Sequence, residues 1–115
     1  MTRTVLIVDD YEPFRDSARG LLQSGDFDVV GEAEGGRDAL RLAEELRPDV
    51  VLLDVHMPDL DGFEVAERMA QLDSPPVVVL TSSRDDYAPL VAGSAAHAFV
   101  RKDALSAETL AAALA

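Results

Sequence analysis

Residues 47–54 read Arg-Pro-Asp-Val-Val-Leu-Leu-Asp, and the solid apolar run at 50–53 that closes on Asp54 decides how the rest is read. Alternating apolar and polar residues mark a strand with one wet face. An unbroken run rich in β-branched residues marks a strand covered on both faces, as in a parallel sheet. Three more runs have this character. Residues 5–8 (Val-Leu-Ile-Val) end at Asp9-Asp10, residues 77–80 (Val-Val-Val-Leu) end at Thr81, and residues 98–100 (Ala-Phe-Val) close at Arg101-Lys102. A weaker run spans 27–33. Between the runs apolar residues recur at helical spacing: Phe14, Ala18, Leu21 and Leu22, then Ala39, Leu40, Ala43 and Leu46, then Val65, Met69 and Leu72. Gly35-Gly36, Pro48-Asp49 and Ser74-Pro75-Pro76 punctuate them. Pro89 is tolerable only in a first turn, which predicts a short fourth helix from near Asp86 to Gly93-Ser94. Ser106 is a good N-cap for a last short helix, with Leu105 and Leu110 spaced for a hydrophobic staple. Five β-α units with right-handed crossovers predict an α/β fold: a doubly wound five-stranded parallel sheet with helices on both faces.

The 115 residues suffice for one domain, 1–115, and leave no room for a second core. The absence of cysteine excludes disulfides, thiolate metal sites and cysteine nucleophiles, and suits a reducing cytoplasm. Asp and Glu number 22 against 10 Lys and Arg, a formal charge of -12 that opposes nucleic acid and anionic lipid as direct partners. No apolar run approaches the roughly 20 residues of a membrane span. Nine of the ten basic residues are arginine; Lys102 is the single lysine.

Ligand sites of open parallel sheets lie beyond the carboxyl ends of the strands. Four of the five runs deliver a reactive group there: Asp9 and Asp10, Asp54, Thr81, and Lys102. The second run ends in Gly31-Glu32-Ala33-Glu34 and offers no comparable group. Converging aspartates repel one another, and a hard divalent cation with oxygen ligands, magnesium above all, resolves that repulsion. Carboxylates, a cation, one lysine and a hydroxyl are equipped for phosphoryl transfer, with Asp54 as the nucleophile. A Walker-type loop and a G-x-S-x-G elbow are both missing, so the phosphoryl donor is expected to be small or protein-borne rather than a bound nucleotide.

Taken in order, these residues resemble the receiver domain of two-component response regulators. The resemblance is carried by Val5-Leu6-Ile7-Val8-Asp9-Asp10, by 47–54, by Met57-Pro58 with Asp61-Gly62, by Val79-Leu80-Thr81 and by Lys102, and covers essentially the whole chain. It implies the flavodoxin-like strand order 2-1-3-4-5. It implies that Asp54 accepts a phosphoryl group from a sensor histidine kinase or a small acyl phosphate, the chain's only chemistry being its own phosphorylation and dephosphorylation. By the same resemblance Asp10 and Asp54 ligate Mg2+ directly, Asp9 acts through a water, and His56 contributes its backbone carbonyl. Lys102 pairs with phosphoryl oxygens, Thr81 turns toward them, and Phe99 swings inward. Homodimerisation through the fourth helix, fifth strand and fifth helix is expected from the family. Lys102-Asp103, where many receivers carry Lys-Pro, and Gly31-Glu32-Ala33 look like the NarL-like subfamily. Such receivers usually precede a helix-turn-helix domain, so contact with DNA and control of transcription are expected only through an output domain beyond Ala115. The alternative is a stand-alone or pseudo-receiver acting as a protein-interaction module.

Plainer readings stand beside these. Asp9-Asp10 suits a helix cap, Thr81-Ser82-Ser83 a polar loop, Phe99 plain core, and His97 a structural or surface position. Glu44-Glu45 and Asp85-Asp86 read as solvated helix positions, with Asp86 a cap for the fourth helix. A haloacid-dehalogenase-like phosphatase would need a second aspartate at position 56, where His56 stands. A flavin protein would need hydroxyls and amides, not acids, after Val8.

Overall fold

Five parallel strands pair in the order β2-β1-β3-β4-β5 in the computed structural model of the chain, which describes residues 2–84 and 86–115. The strands are β1 (Arg3–Val8), β2 (Phe27–Ala33), β3 (Val50–Asp54), β4 (Val77–Ser82) and β5 (Ala98–Arg101). The helices are α1 (Glu12–Gln23), α2 (Gly36–Leu46), α3 (Gly62–Met69) and α4 (Ala107–Leu114). Every residue of β3, the central strand, is buried, which is why its sequence is apolar without alternation.

Each sheet face carries its own core. Val5, Ile7, Val50, Leu52, Val79 and Val100 pack with Ala18 and Leu22 of α1 and Leu110 of α4. Leu6, Val8, Val51, Leu53, Val78 and Leu80 pack with Ala39 and Ala43 of α2 and Val65 and Met69 of α3. Strand alternation therefore sends Asp54 (after Val50 and Leu52) and Thr81 (after Val79) to the α1/α4 face, opposite one another in register.

The ends of the elements follow local chemistry. α2 stops at Arg47, a left-handed residue (φ 47°) followed by Pro48, which cannot continue a helix. Ser106 caps α4 as expected: it accepts from the Thr109 amide at 3.0 Å, and Leu105 and Leu110 are both buried beneath it. Asp49 of the Arg-Pro-Asp segment works at the opposite sheet edge. Its carboxylate accepts from the Thr4 amide at 2.9 Å and its backbone carbonyl from Val77 at 3.0 Å, joining three strand starts.

Three expectations are corrected. The fourth helix is not α-helical: residues Ala88–Gly93 form a 3-10 stretch without one buried residue. Pro89 removes a donor, Gly93 ends the segment, and Val91, only partly buried, is the residue of it that packs against the core. Asp86 does not cap it; its carboxylate receives Arg84 at 2.7 Å, and Tyr87 occupies the cap position. Asp85 lies outside the described residues. In α1, Leu21 stands 40% exposed while Arg15, one position after Phe14, takes a buried place.

Strand β2 carries a bulge. Its pairing with β1 runs Val5 to Val29 and then Leu6 to Gly31, skipping Val30. One extra residue reverses the side-chain parity beyond it. Phe27 and Val29 join the α1 core, but Ala33 joins the α2 side, and Glu32 comes opposite Ile7 on the face of α1. Among the described residues, no helix is long and apolar enough to cross a membrane.

Candidate functional site

At the carboxyl edge of the sheet, carboxylate oxygens of Asp9, Asp10 and Asp54 lie within 4.8 Å of one another. Asp9 directly follows β1 and is fully buried; Asp54 ends β3 and is 5% exposed; Asp10 faces solvent. Lys102, the first residue after β5, brings its ammonium to 2.6 Å from Asp9 Oδ2 and 3.6 Å from Asp54 Oδ1. The Phe14 ring of α1 lies under that ammonium, 4.7 Å from it. Three carboxylates against one ammonium leave two uncompensated negative charges. An all-oxygen donor set with that deficit fits a hard divalent cation.

The electrostatics have a measurable consequence at Asp54. Its carboxyl is pushed up to about 6, first by burial and then by the charge on Asp9. Lys102 and the His56 backbone N–H oppose the rise, and Asp10 adds to it. Across from Asp54, the Thr81 hydroxyl is buried and has no hydrogen-bond partner among the described residues. A buried, unpaired hydroxyl costs about 1–3 kcal/mol, so this one is available to an incoming acceptor. Asp9 Oδ2 also lacks a well-directed hydrogen bond, but the ammonium contact compensates it.

The sequence model of the response regulator receiver domain family matches residues 5–115. The chain belongs to this family. It is 38% identical over 84 residues to the transcriptional regulatory protein YdfI of Bacillus subtilis, covering 72% of this chain and 39% of that protein. It is 39% identical over 98 residues to LiaR of the same organism, covering 81% and 46%. Among solved structures, the signal receiver domain of NarL from Mycobacterium tuberculosis superposes with a TM-score of 0.83 at 37% identity, covering 98% of this chain and 94% of that one. The receiver thus spans less than half the length of these two curated relatives.

The loops around the receiver's acidic pocket make contacts that the sequence does not announce. His56, expected to act through its backbone carbonyl, is exposed; its imidazole meets the Tyr87 hydroxyl in a hydrogen bond, with the rings 5.1 Å apart and edge-on at 74°. This contact ties the loop after Asp54 to the loop after Thr81. Asp59 reaches across to the start of α2, accepting from Gly36 at 2.9 Å and Arg37 at 3.0 Å. Those amides hold its carboxyl below the usual carboxylate range. Asp59→Ala is expected to lower stability at neutral pH by about 1 kcal/mol, as loss of a helix cap does. Because the folded carboxyl is the stronger acid, the difference should be present above the ordinary carboxylate range and vanish as pH falls through the folded value. Urea unfolding at neutral and acidic pH measures it, and equal stabilities at neutral pH would remove Asp59 from the frame.

The remaining assigned positions are less centred on the pocket. Phe99 is half-buried and packs toward the α2/α3 core beside Tyr87 and Val91. His97 is exposed at the opposite end of β5. Asp103 accepts from Arg101 at 2.7 Å instead of joining the acidic cluster. Glu32, read from sequence only as part of the Gly31-Glu32-Ala33 resemblance, accepts from Arg15 at 3.1 Å and Arg19 at 2.7 Å, and Arg15 in turn donates to the Asp9 carbonyl at 2.7 Å.

Proposed function

We propose that this receiver accepts a phosphoryl group on Asp54 from a sensor histidine kinase, with Mg2+, and that the resulting change of shape controls an output, transcription in a longer protein. One observation supports this above the others: a buried carboxylate at the tip of the central strand is flanked by two further carboxylates and a lone ammonium, with an unpaired hydroxyl facing it. Asp10 and Asp54 would hold the ion directly, Asp9 through a water, and His56 through its backbone carbonyl. Bound there, a divalent cation neutralises charge on the transferring group.

In the transfer, an Asp54 carboxylate oxygen attacks phosphorus. The bond from phosphorus to the kinase histidine nitrogen breaks, and its electron pair stays on that nitrogen, which takes a proton from solvent. Lys102 is placed to exchange Asp9 for a phosphoryl oxygen, since its ammonium already lies between the two aspartates. The Thr81 hydroxyl donates to another phosphoryl oxygen, and the space it vacates lets Phe99 turn inward. The acyl phosphate is later lost to water, which makes this chain a switch rather than an enzyme acting on other substrates. Residues 1–115 serve as one receiver unit in the bacterial cytoplasm. Contact with DNA comes through an output domain only, because the charge of -12 opposes direct binding. Homodimerisation would use residues 88–93, β5 and α4, where Phe99, Ala104, Ala112 and Ala113 line an open apolar groove.

Acetyl phosphate with Mg2+ should add one phosphoryl group per chain by intact mass, and none to Asp54→Ala or in EDTA. Equal labelling of the Asp54→Ala protein, or an unlabelled wild type, would defeat the assignment.

A further inference from the structure

We infer that Arg15 is a positioning residue for the acidic pocket: held by Glu32, it fixes the peptide between Asp9 and Asp10 and thereby sets their carboxylates for the cation. The inference rests on the proposed phosphoacceptor reading and names a part of its machinery.

Arg15 is one of five buried polar or charged residues among those described, 9% exposed, and three of the others are Asp9, Asp54 and Thr81 of the pocket itself. A guanidinium is rarely buried unless each of its directions is used. Here Nη1 donates to the Asp9 backbone carbonyl at 2.7 Å and Nε to Glu32 Oε1 at 3.1 Å. The Asp9 carbonyl belongs to the peptide plane that leads into Asp10, so its direction sets where the Asp10 side chain starts. Asp9 Oδ1 is held separately by the Tyr11 amide at 2.9 Å, which turns Oδ2 toward Lys102. Arg15 and Tyr11 therefore fix the carbonyl and the side chain of Asp9 independently.

Glu32 makes the arrangement electrostatically tolerable. A bare guanidinium so close to the pocket would repel a cation. Paired with Glu32, and with Glu12 4.0 Å from its Nη2, it contributes direction with little net charge, two carboxylates balancing Arg15 and Arg19. Arg19 holds the other Glu32 oxygen at 2.7 Å. The β2 bulge is what brings Glu32 to this face: with regular pairing, residue 32 would point toward α2 and Arg15 would lose its anchor. Lysine cannot replace the fork, since one ammonium on a flexible stem does not span both acceptors in fixed directions.

The test is Mg2+ binding by calorimetry, beside urea stability in EDTA, for wild type, Arg15→Gln, Arg15→Lys and Leu22→Val. Arg15→Gln should weaken Mg2+ binding about tenfold, the range for loss of a group that orients metal ligands. Arg15→Lys should fall between Arg15→Gln and wild type. Leu22→Val, a core change on the same helix, should lower stability and leave the Mg2+ dissociation constant unchanged. In acetyl phosphate labelling, Arg15→Gln should need about tenfold more Mg2+ for half-maximal rate and approach the wild-type rate at saturation. Binding by both Arg15 variants within twofold of wild type would overturn the inference while leaving the pocket intact. So would an equal loss in Leu22→Val, which would reduce Arg15 to a general structural part. A wild type that binds no Mg2+ would instead overturn the phosphoacceptor reading, and this inference with it.

Discussion

Asp54→Asn should be the more stable protein at pH 8 in EDTA, although it removes the proposed phosphoacceptor. The Asp54 carboxyl sits at about 6 in the folded chain, pushed up by burial and by Asp9, against an ordinary value near 3.8. The folded state therefore holds the proton more tightly than the unfolded state does. Below about pH 3 both states are mostly protonated and the site carries no penalty. As pH rises toward 6 the unfolded carboxyl ionises first, and stability is lost until the folded carboxyl has ionised too. That difference corresponds to about 3 kcal/mol at full ionisation. Asparagine keeps the shape, removes the charge and offers Asp9 a donor. The gain of Asp54→Asn over wild type should be near zero at pH 3, grow through pH 6 and reach its limit by pH 8. Mg2+ should narrow the gap by stabilising wild type more than the variant. Urea unfolding across that range reads the effect. A gap that does not change with pH, or a variant less stable than wild type at pH 8, would mean that the pocket is not under electrostatic strain.

Gly62→Ala should be the most damaging single-methyl substitution near the site. The Asp61-Gly62 pair opens α3, and the Asp61 side chain caps it by accepting from Glu64 at 2.9 Å. A Cβ on residue 62 would stand 2.5 Å from the Asp54 carbonyl oxygen and 2.9 Å from the Val55 Cα. Both neighbours are backbone and cannot rotate away. The glycine is needed for space and not for a left-handed turn, since among the described residues no glycine has positive φ. Relieving the clash means moving α3 off the sheet or displacing the peptide that carries Asp54. Overpacking of this kind costs about 3 kcal/mol. Phosphorylation should slow along with the loss of stability, because the Gly62 amide also donates to the Val55 carbonyl at 2.7 Å, next to Asp54, the proposed acceptor. A urea midpoint and a labelling rate both close to wild type would show that the loop yields more easily than its contacts imply.

Chemistry written into single residues was legible without coordinates. Asp9, Asp10, Asp54, Thr81 and Lys102 each close an apolar run, and a parallel sheet must gather the ends of its strands at one edge. Ser106 announces its helix, and Pro89 announces a weak one. The error at residues 86–93 was one of degree: proline shortened the segment as expected, but nothing in the local sequence showed that it would bury no residue and collapse to 3-10 geometry. The supports were harder to see. Asp59 works across 23 residues of sequence, Asp49 across 45, and His56 with Tyr87 across 31. No local periodicity encodes such partners. Arg15 and Glu32 were hidden twice, since a charged residue in a helix reads as solvated, and a bulge cannot be located from a run of apolar residues.

What the amino-acid sequence determined alone is the order of elements and which polar residues stand at the strand ends, because hydrophobic period and strand-end residues are properties of short segments. What only the tertiary structure decided is how those groups are charged and aimed. The raised Asp54 carboxyl, the Lys102 ammonium on Asp9 and the Arg15 grip on the Asp9 carbonyl all depend on burial and on distances of a few ångströms between strands and helices far apart in the chain. Coulomb energies and hydrogen bonds vary steeply over such distances, and folding alone sets them.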